Sequence, residues 1–98
     1  MGKGLIHSKN DDVCVVTTDV KKGEEVICAY LENPSSYILV KSEDDIPLGH
    51  KIALRDIKKG DKVLKYGRVI GEATQDIKKG QHVHVHNIRS LRWGAWKQ

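Results

Sequence analysis

The sequence predicts an all-β domain built from short strands, and three observations carry that expectation. One phrase occurs three times, as DVKKGEEV at 19–26, DIKKGDKV at 56–63 and DIKKGQHV at 76–83. Each copy starts with Asp and a β-branched residue, turns through Lys-Lys-Gly, and resumes with a polar pair before Val. Glycine takes the positive φ of a tight turn without steric cost, so each phrase reads as a turn feeding a new strand. The second observation is the supply of core residues. There is no Phe and one Met, while Val and Ile are plentiful, and their branched β-carbons suit a pleated surface. The third is the lack of a long amphipathic helix: residues 44–54 come nearest, and Pro47 and Gly49 interrupt them.

A chain of 98 residues makes one domain with a single modest core. Residues 1–90 are assigned to that domain. Residues 91–98 form a basic tail carrying Trp93 and Trp96, which either packs back or docks on a partner. Cys14 and Cys28 lie in apolar runs without CxxC spacing and read as buried free thiols in a reducing compartment. No apolar run approaches the ~20 residues that cross a bilayer, and the N-terminus lacks a signal-peptide core. A soluble cytoplasmic protein is expected. The net charge of +4 suits an anionic small molecule, a nucleic acid or an acidic protein surface. Nucleic acid is not expected, since aromatic residues are not interleaved with the basic ones on the strands.

In chain order, residues 4–9 (GLIHSK) read as a first strand and Asn10-Asp11-Asp12 as turn chemistry. Strands follow at 13–18 (VCVVTT) and, after the first glycine turn, at 26–31 (VICAYL). Asn33-Pro34-Ser35-Ser36 is expected to close that strand before another at 37–40, and Ser42 to Asp45 to form a solvated acidic loop. Pro47 fixes φ and Gly49 permits an abrupt turn just before His50 and Lys51. Residues 52–54 are a buried run. KVLKY at 62–66 alternates at period two, Gly67 breaks it, residues 68–70 resume, and Gly71 breaks it again.

Chemistry concentrates toward the C-terminal half. Residues 81–87 (QHVHVHN) alternate strictly, so a strand there would put His82, His84 and His86 on one face, with Val83 and Val85 on the other. Same-face neighbours lie about 6.6 Å apart, which lets adjacent histidines converge on one ligand and keeps His82 from sharing one with His86. Neutral imidazole serves as metal ligand or as general acid–base. His50-Lys51 and Lys65-Tyr66 form a second group suited to a carboxylate and a hydroxyl.

The run IPLGHKIAL at 46–54 is followed by KYG at 65–67, VIG at 69–71, and HVHVHN at 82–87. This ordered set resembles the N-terminal domain of the altronate and galactarate dehydratase family, over nearly the whole chain. The resemblance implies a SAF-type domain of compact β-clip architecture. In many members of that family a far larger dehydratase domain follows. With the sequence ending at Gln98, the resemblance implies the small subunit of a two-chain enzyme, inactive alone and paired with a large dehydratase subunit. It further implies a sugar-acid substrate that loses water to give a 2-keto-3-deoxy acid. It also implies a divalent metal, iron or manganese, held mainly by the large subunit. By matching motifs, His50, His84 and His86 are expected to be catalytic, and Gly49, Lys51 and Asn87 to meet substrate. His84 and His86 are also expected at the metal, and His82 lies outside the VHxHN pattern. Self-association is a further expectation. The alternatives are the small subunit of a (2R)-sulfolactate sulfo-lyase, which resembles this chain too, and a non-catalytic carbohydrate- or acid-binding module.

Overall fold

A computed structural model describes residues 1–90, and the tail at 91–98 with its two tryptophans lies outside them. The described residues hold nine strands and no helix: β1 (Gly2–Ile6), β2 (Val13–Val16), β3 (Glu25–Tyr30), β4 (Asn33–Lys41), β5 (Lys51–Ala53), β6 (Lys62–Lys65), β7 (Arg68–Ala73), β8 (His82–Val83) and β9 (Ile88–Ser90). The all-β expectation holds. Six strands form one sheet in the order β4-β3-β1-β2-β5-β8, and three form a second in the order β6-β7-β9. Within the larger sheet β1 runs parallel to β3 and antiparallel to β2.

The repeated phrase has a fourth copy that its lysines do not announce. Residues 45–51 (DIPLGHK) match 19–25, 56–62 and 76–82 in the frame Asp, β-branched residue, two turn residues, Gly, and two more. All four glycines share one backbone state, with φ of 90° at Gly23, 88° at Gly49, 91° at Gly60 and 92° at Gly80. The copies pair. Val20 and Ile46 exchange both backbone hydrogen bonds, at 2.9 and 2.8 Å, and Ile57 and Ile77 exchange theirs at 2.7 Å each. Around each bridge the aspartates clasp the opposite turn. Asp19 Oδ1 accepts the N–H of Leu48 while Asp45 Oδ1 accepts that of Lys22, both at 2.8 Å. Asp56 Oδ1 accepts from Lys79 at 2.8 Å, and Asp76 Oδ1 from Lys59 at 2.9 Å.

Each clasped pair feeds its own core. Val20 and Ile46 pack with Ile6, Val16, Val26 and Ile52, whereas Ile57 and Ile77 pack with Val13, Val63, Ala73 and Val83. Burying such side chains stabilises by roughly 1.5–3 kcal/mol each relative to exposure. Cys14 and Cys28 are free and buried, and their mutual contact, followed by burial, pushes the Cys14 thiol up.

Three expectations need correction. Asn33 to Ser36 belong to β4, not to a loop: Tyr30 pairs with Asn33, so the chain turns through Leu31-Glu32 instead. Pro34 is tolerated there because β4 is an edge strand. Gly71 does not break its strand; a Cβ there would strike the Arg89 carbonyl, so glycine lets β9 close on β7. Ser42 to Asp45 is no idle loop. Ser42 is 1% exposed, Asp45 clasps the first turn, and Asp44 Oδ2 accepts the His82 N–H at 2.9 Å.

Gly60 and Gly80 share a φ but not a neighbourhood. A Cβ at Gly60 meets open space, whereas one at Gly80 would collide with the Lys41 carbonyl oxygen. Gly60→Ala should therefore cost about 1–2 kcal/mol from the left-handed backbone alone. Gly80→Ala adds overpacking of about 1–3 kcal/mol. Denaturant titration should rank Gly80→Ala clearly below Gly60→Ala; equal stabilities would contradict this packing.

Candidate active site

Three of the four paired turns cap themselves in the same way. The residue after glycine accepts the N–H of the first turn residue: Glu24 from Lys21 at 2.9 Å, Asp61 from Lys58 at 3.2 Å, and Gln81 from Lys78 at 2.8 Å. In the second copy the first turn residue is Pro47, which has no N–H to offer. The residue after glycine is His50, and its side chain is released from that duty. The backbone still closes, with His50 N–H donating to the Pro47 carbonyl at 2.9 Å. The imidazole instead turns toward β8.

The histidine run does not continue as a strand. β8 ends at Val83, and residues 84–87 form a turn. Asn87, 2% exposed, causes it: its Oδ1 accepts the His84 N–H at 3.0 Å and its Nδ2 donates to the His82 carbonyl at 2.7 Å. The expected alternation fails at Val85, which is 81% exposed. The turn also folds His86 back, placing its ring centroid 5.1 Å from that of His82. In an extended strand these two would stand about 13 Å apart. Asn87 was expected to meet substrate; both ends of its amide are instead engaged inside the turn, so it positions the histidines.

The imidazoles gather on β8 and the neighbouring turn. His50 Nδ1 lies 2.9 Å from His82 Nε2. His50 stacks on His84 with centroids 4.1 Å apart, and His82 lies 5.6 Å from His84. One ring nitrogen from each of His50, His82 and His84 falls within 4.8 Å of the others. His86 is exposed and outside this group, so His84 is grouped with His50 and His82 rather than with His86. The strand alternation had put His82 on one face with His84, but the VHxHN pattern left it out of the expected site. The frame match of 45–51 to the other turns was the signal for Asp45.

Two members of the cluster hold protons less readily than a free imidazole. Burial lowers the His82 pKa, the neighbouring His86, His50 and His84 lower it further, and Asp44 opposes them. His84 is lowered by burial, then by His50, Lys51 and His86. Neutral imidazoles keep a lone pair for a proton or a metal, so the donor set fits a divalent transition ion. Lys51 is half-buried; burial and then Lys65 lower its pKa. Among the described residues no carboxylate pairs with Lys51. Gly49 sits exposed at the apex of its turn. Lys65 and Tyr66 group elsewhere: Tyr66 stacks on His7 at 4.1 Å, with Lys65 Nζ 4.8 Å from its ring. Asp11 holds that turn by accepting the N–H groups of Tyr66 and Gly67, each at 2.9 Å. A groove of about 350 Å³ lined by Lys9, Tyr30, Glu32, Asn33 and Ser36 contains none of the expected residues.

Comparison with known proteins matches residues 3–91 to the altronate/galactarate dehydratase SAF domain. The chain is 34% identical over 89 residues to the (2R)-sulfolactate sulfo-lyase subunit alpha of Chromohalobacter salexigens, covering 91% of this chain and 95% of that one. It is 45% identical over 85 residues to altronate dehydratase of Bacillus subtilis, covering 87% of this chain but 16% of that protein. With altronate dehydratase of Escherichia coli the identity is 44% over 80 residues, 82% of this chain and 15% of that protein.

The lowered histidine values set a pH dependence. His82 and His84 hold protons less readily in the folded chain than at their ordinary value of 6.5. On acidification below about 6.5 the unfolded state therefore binds more protons, and stability falls as pH drops through the folded values. The melting temperature should drop between about pH 7 and pH 5, and His82→Gln with His84→Gln should flatten that slope. A melting temperature that rises on acidification would contradict the assignment.

Proposed function

The chain belongs to the altronate/galactarate dehydratase SAF domain family, and on that premise we propose that it is the small subunit of a two-chain sugar-acid dehydratase. The carrying observation is the convergence of His50, His82 and His84 beside the unpaired, half-buried Lys51. A chain matching 95% of a relative named as a subunit supports the two-chain reading. The higher identities to altronate dehydratases favour a hydroxyl as the leaving group. The sulfo-lyase relative supports a second reading, in which the group expelled is sulfite.

Dehydration removes a proton beside the substrate carboxylate and breaks the bond to the β-hydroxyl. As the C–H bond breaks, negative charge grows on the carboxylate, and Lys51 with His50 faces it from a partly dry position where such attraction is strong. The imidazole of His86, which lies outside the group formed by His50, His82 and His84, accepts the proton. The same imidazole then returns a proton to the departing hydroxyl, so water leaves with the C–O electron pair. The enol then tautomerises to the 2-keto-3-deoxy acid. A divalent metal bound beside these imidazoles would supply a Lewis acid for the carboxylate charge. The large subunit would bring the rest of the wall and further metal ligands.

Reconstitution with a dehydratase-type large chain tests this. The small chain alone should not turn over altronate or galactarate, and the complex should. His50→Ala, His84→Ala, His86→Ala and Lys51→Met, each checked for folding and assembly, should lower turnover, with loss of an acid–base residue costing about 10²–10⁴-fold. Near wild-type turnover in all four variants, or robust turnover by the small chain alone, would overturn the proposal.

A further inference from the structure

Three imidazoles from two segments meet with no carboxylate among them, and that donor chemistry is selective. At metal–nitrogen bonds of about 2.0–2.1 Å, adjacent ligand nitrogens stand roughly 2.9–3.4 Å apart. His50 Nδ1 and His82 Nε2 are already 2.9 Å apart, and one ring nitrogen from each of the three histidines lies within 4.8 Å of the others. Ring rotation of about 1–2 Å would close the set to coordination distance. The supports are in place. Asn87 fixes the His82–His84 turn through both ends of its amide, and Asp44 holds the His82 N–H at 2.9 Å. His50 is held by a turn whose proline removes the competing N–H.

We propose that this chain alone binds one divalent transition-metal ion through His50, His82 and His84. The site is a property of the small chain, so the proposal deepens the lyase reading without needing the large subunit present. Three neutral nitrogen donors select ions such as Co²⁺, Fe²⁺ and Zn²⁺, and give little hold on Mg²⁺ or Ca²⁺, which demand oxygen ligands. Manganese, which also favours oxygen, ranks below iron here. The positions the three imidazoles leave open remain for oxygen donors from outside the chain.

The test is titration of the tag-free small chain, without large subunit, with Co²⁺ followed by its visible absorption and with Zn²⁺ and Mg²⁺ by calorimetry. One equivalent of Co²⁺ or Zn²⁺ should bind with roughly micromolar or tighter affinity, and Mg²⁺ should not bind detectably. His50→Ala, His82→Ala and His84→Ala should each weaken binding by at least about tenfold while still unfolding cooperatively, and His7→Ala should leave binding unchanged. The conservative His50→Gln variant covers any loss of folding in the alanine form. Absence of Co²⁺ and Zn²⁺ binding, or binding indifferent to all three substitutions, overturns the proposal. Metal binding without turnover in the reconstituted enzyme would instead count against the lyase reading and leave this site standing.

Discussion

Four carboxylates hold the turns of this protein against one another, and each does so across a long stretch of chain. Asp19 and Asp45 reach Leu48 and Lys22, and Asp56 and Asp76 reach Lys79 and Lys59. A hydrogen bond from a charged acceptor contributes about 1.5–3 kcal/mol, toward the lower end where water competes, as it does for these exposed groups. The geometric consequence matters more than the sum. Neither member of a pair can close unless the other turn is docked beside it, which forces the β-branched residue following each aspartate into the exchange of backbone hydrogen bonds. Those residues then anchor the two cores. Strand pairing, core filling and the position of the histidine turn all depend on this reciprocal fit.

The histidine cluster arises where one turn departs from the rule. Glu24, Asp61 and Gln81 are tied to their own turns by a lysine N–H. Pro47 withholds that group, and His50 is free to face β8 without loss of the fold. The second departure is Asn87, which stops β8 and bends the chain so that His82, His84 and His86 crowd one corner. Partial burial and crowding together lower the proton affinity of His82 and His84, and Lys51 stands nearby without a carboxylate partner. Leu48 and Val85, 61% and 81% exposed, stand next to the cluster histidines in sequence.

The sheet-forming character of the chain was legible because Val, Ile and the Lys-Lys-Gly phrase act locally. The turn glycines, the buried cysteines and most strand positions followed from the same local rules. What escaped the sequence was set by distant partners. The fourth turn copy hides behind Pro47-Leu48, since only the Asp-to-Gly frame is retained. The period of two at residues 81–87 was a sound local signal that lost to the Asn87 side chain, whose two hydrogen bonds reward a turn over a strand. Asp44 and Asp45 looked like solvated charges because their acceptors serve N–H groups 38 and 23 residues away. The motif pointed to His50, His84 and Lys51; it passed over His82, which lies outside the VHxHN pattern.

The central claim is that Pro47 and His50 exchange a turn cap for a site residue. The double variant Pro47→Lys, His50→Glu would rebuild the regular cap, giving the second turn the Lys-to-Glu contact seen at Lys21 and Glu24. Its turnover in the reconstituted enzyme, measured on a variant shown to fold and assemble, is the most direct test. The account predicts a melting temperature at or above the parent's and turnover lowered by about 10²-fold or more. Full turnover with an intact fold would show that His50 does not serve the site.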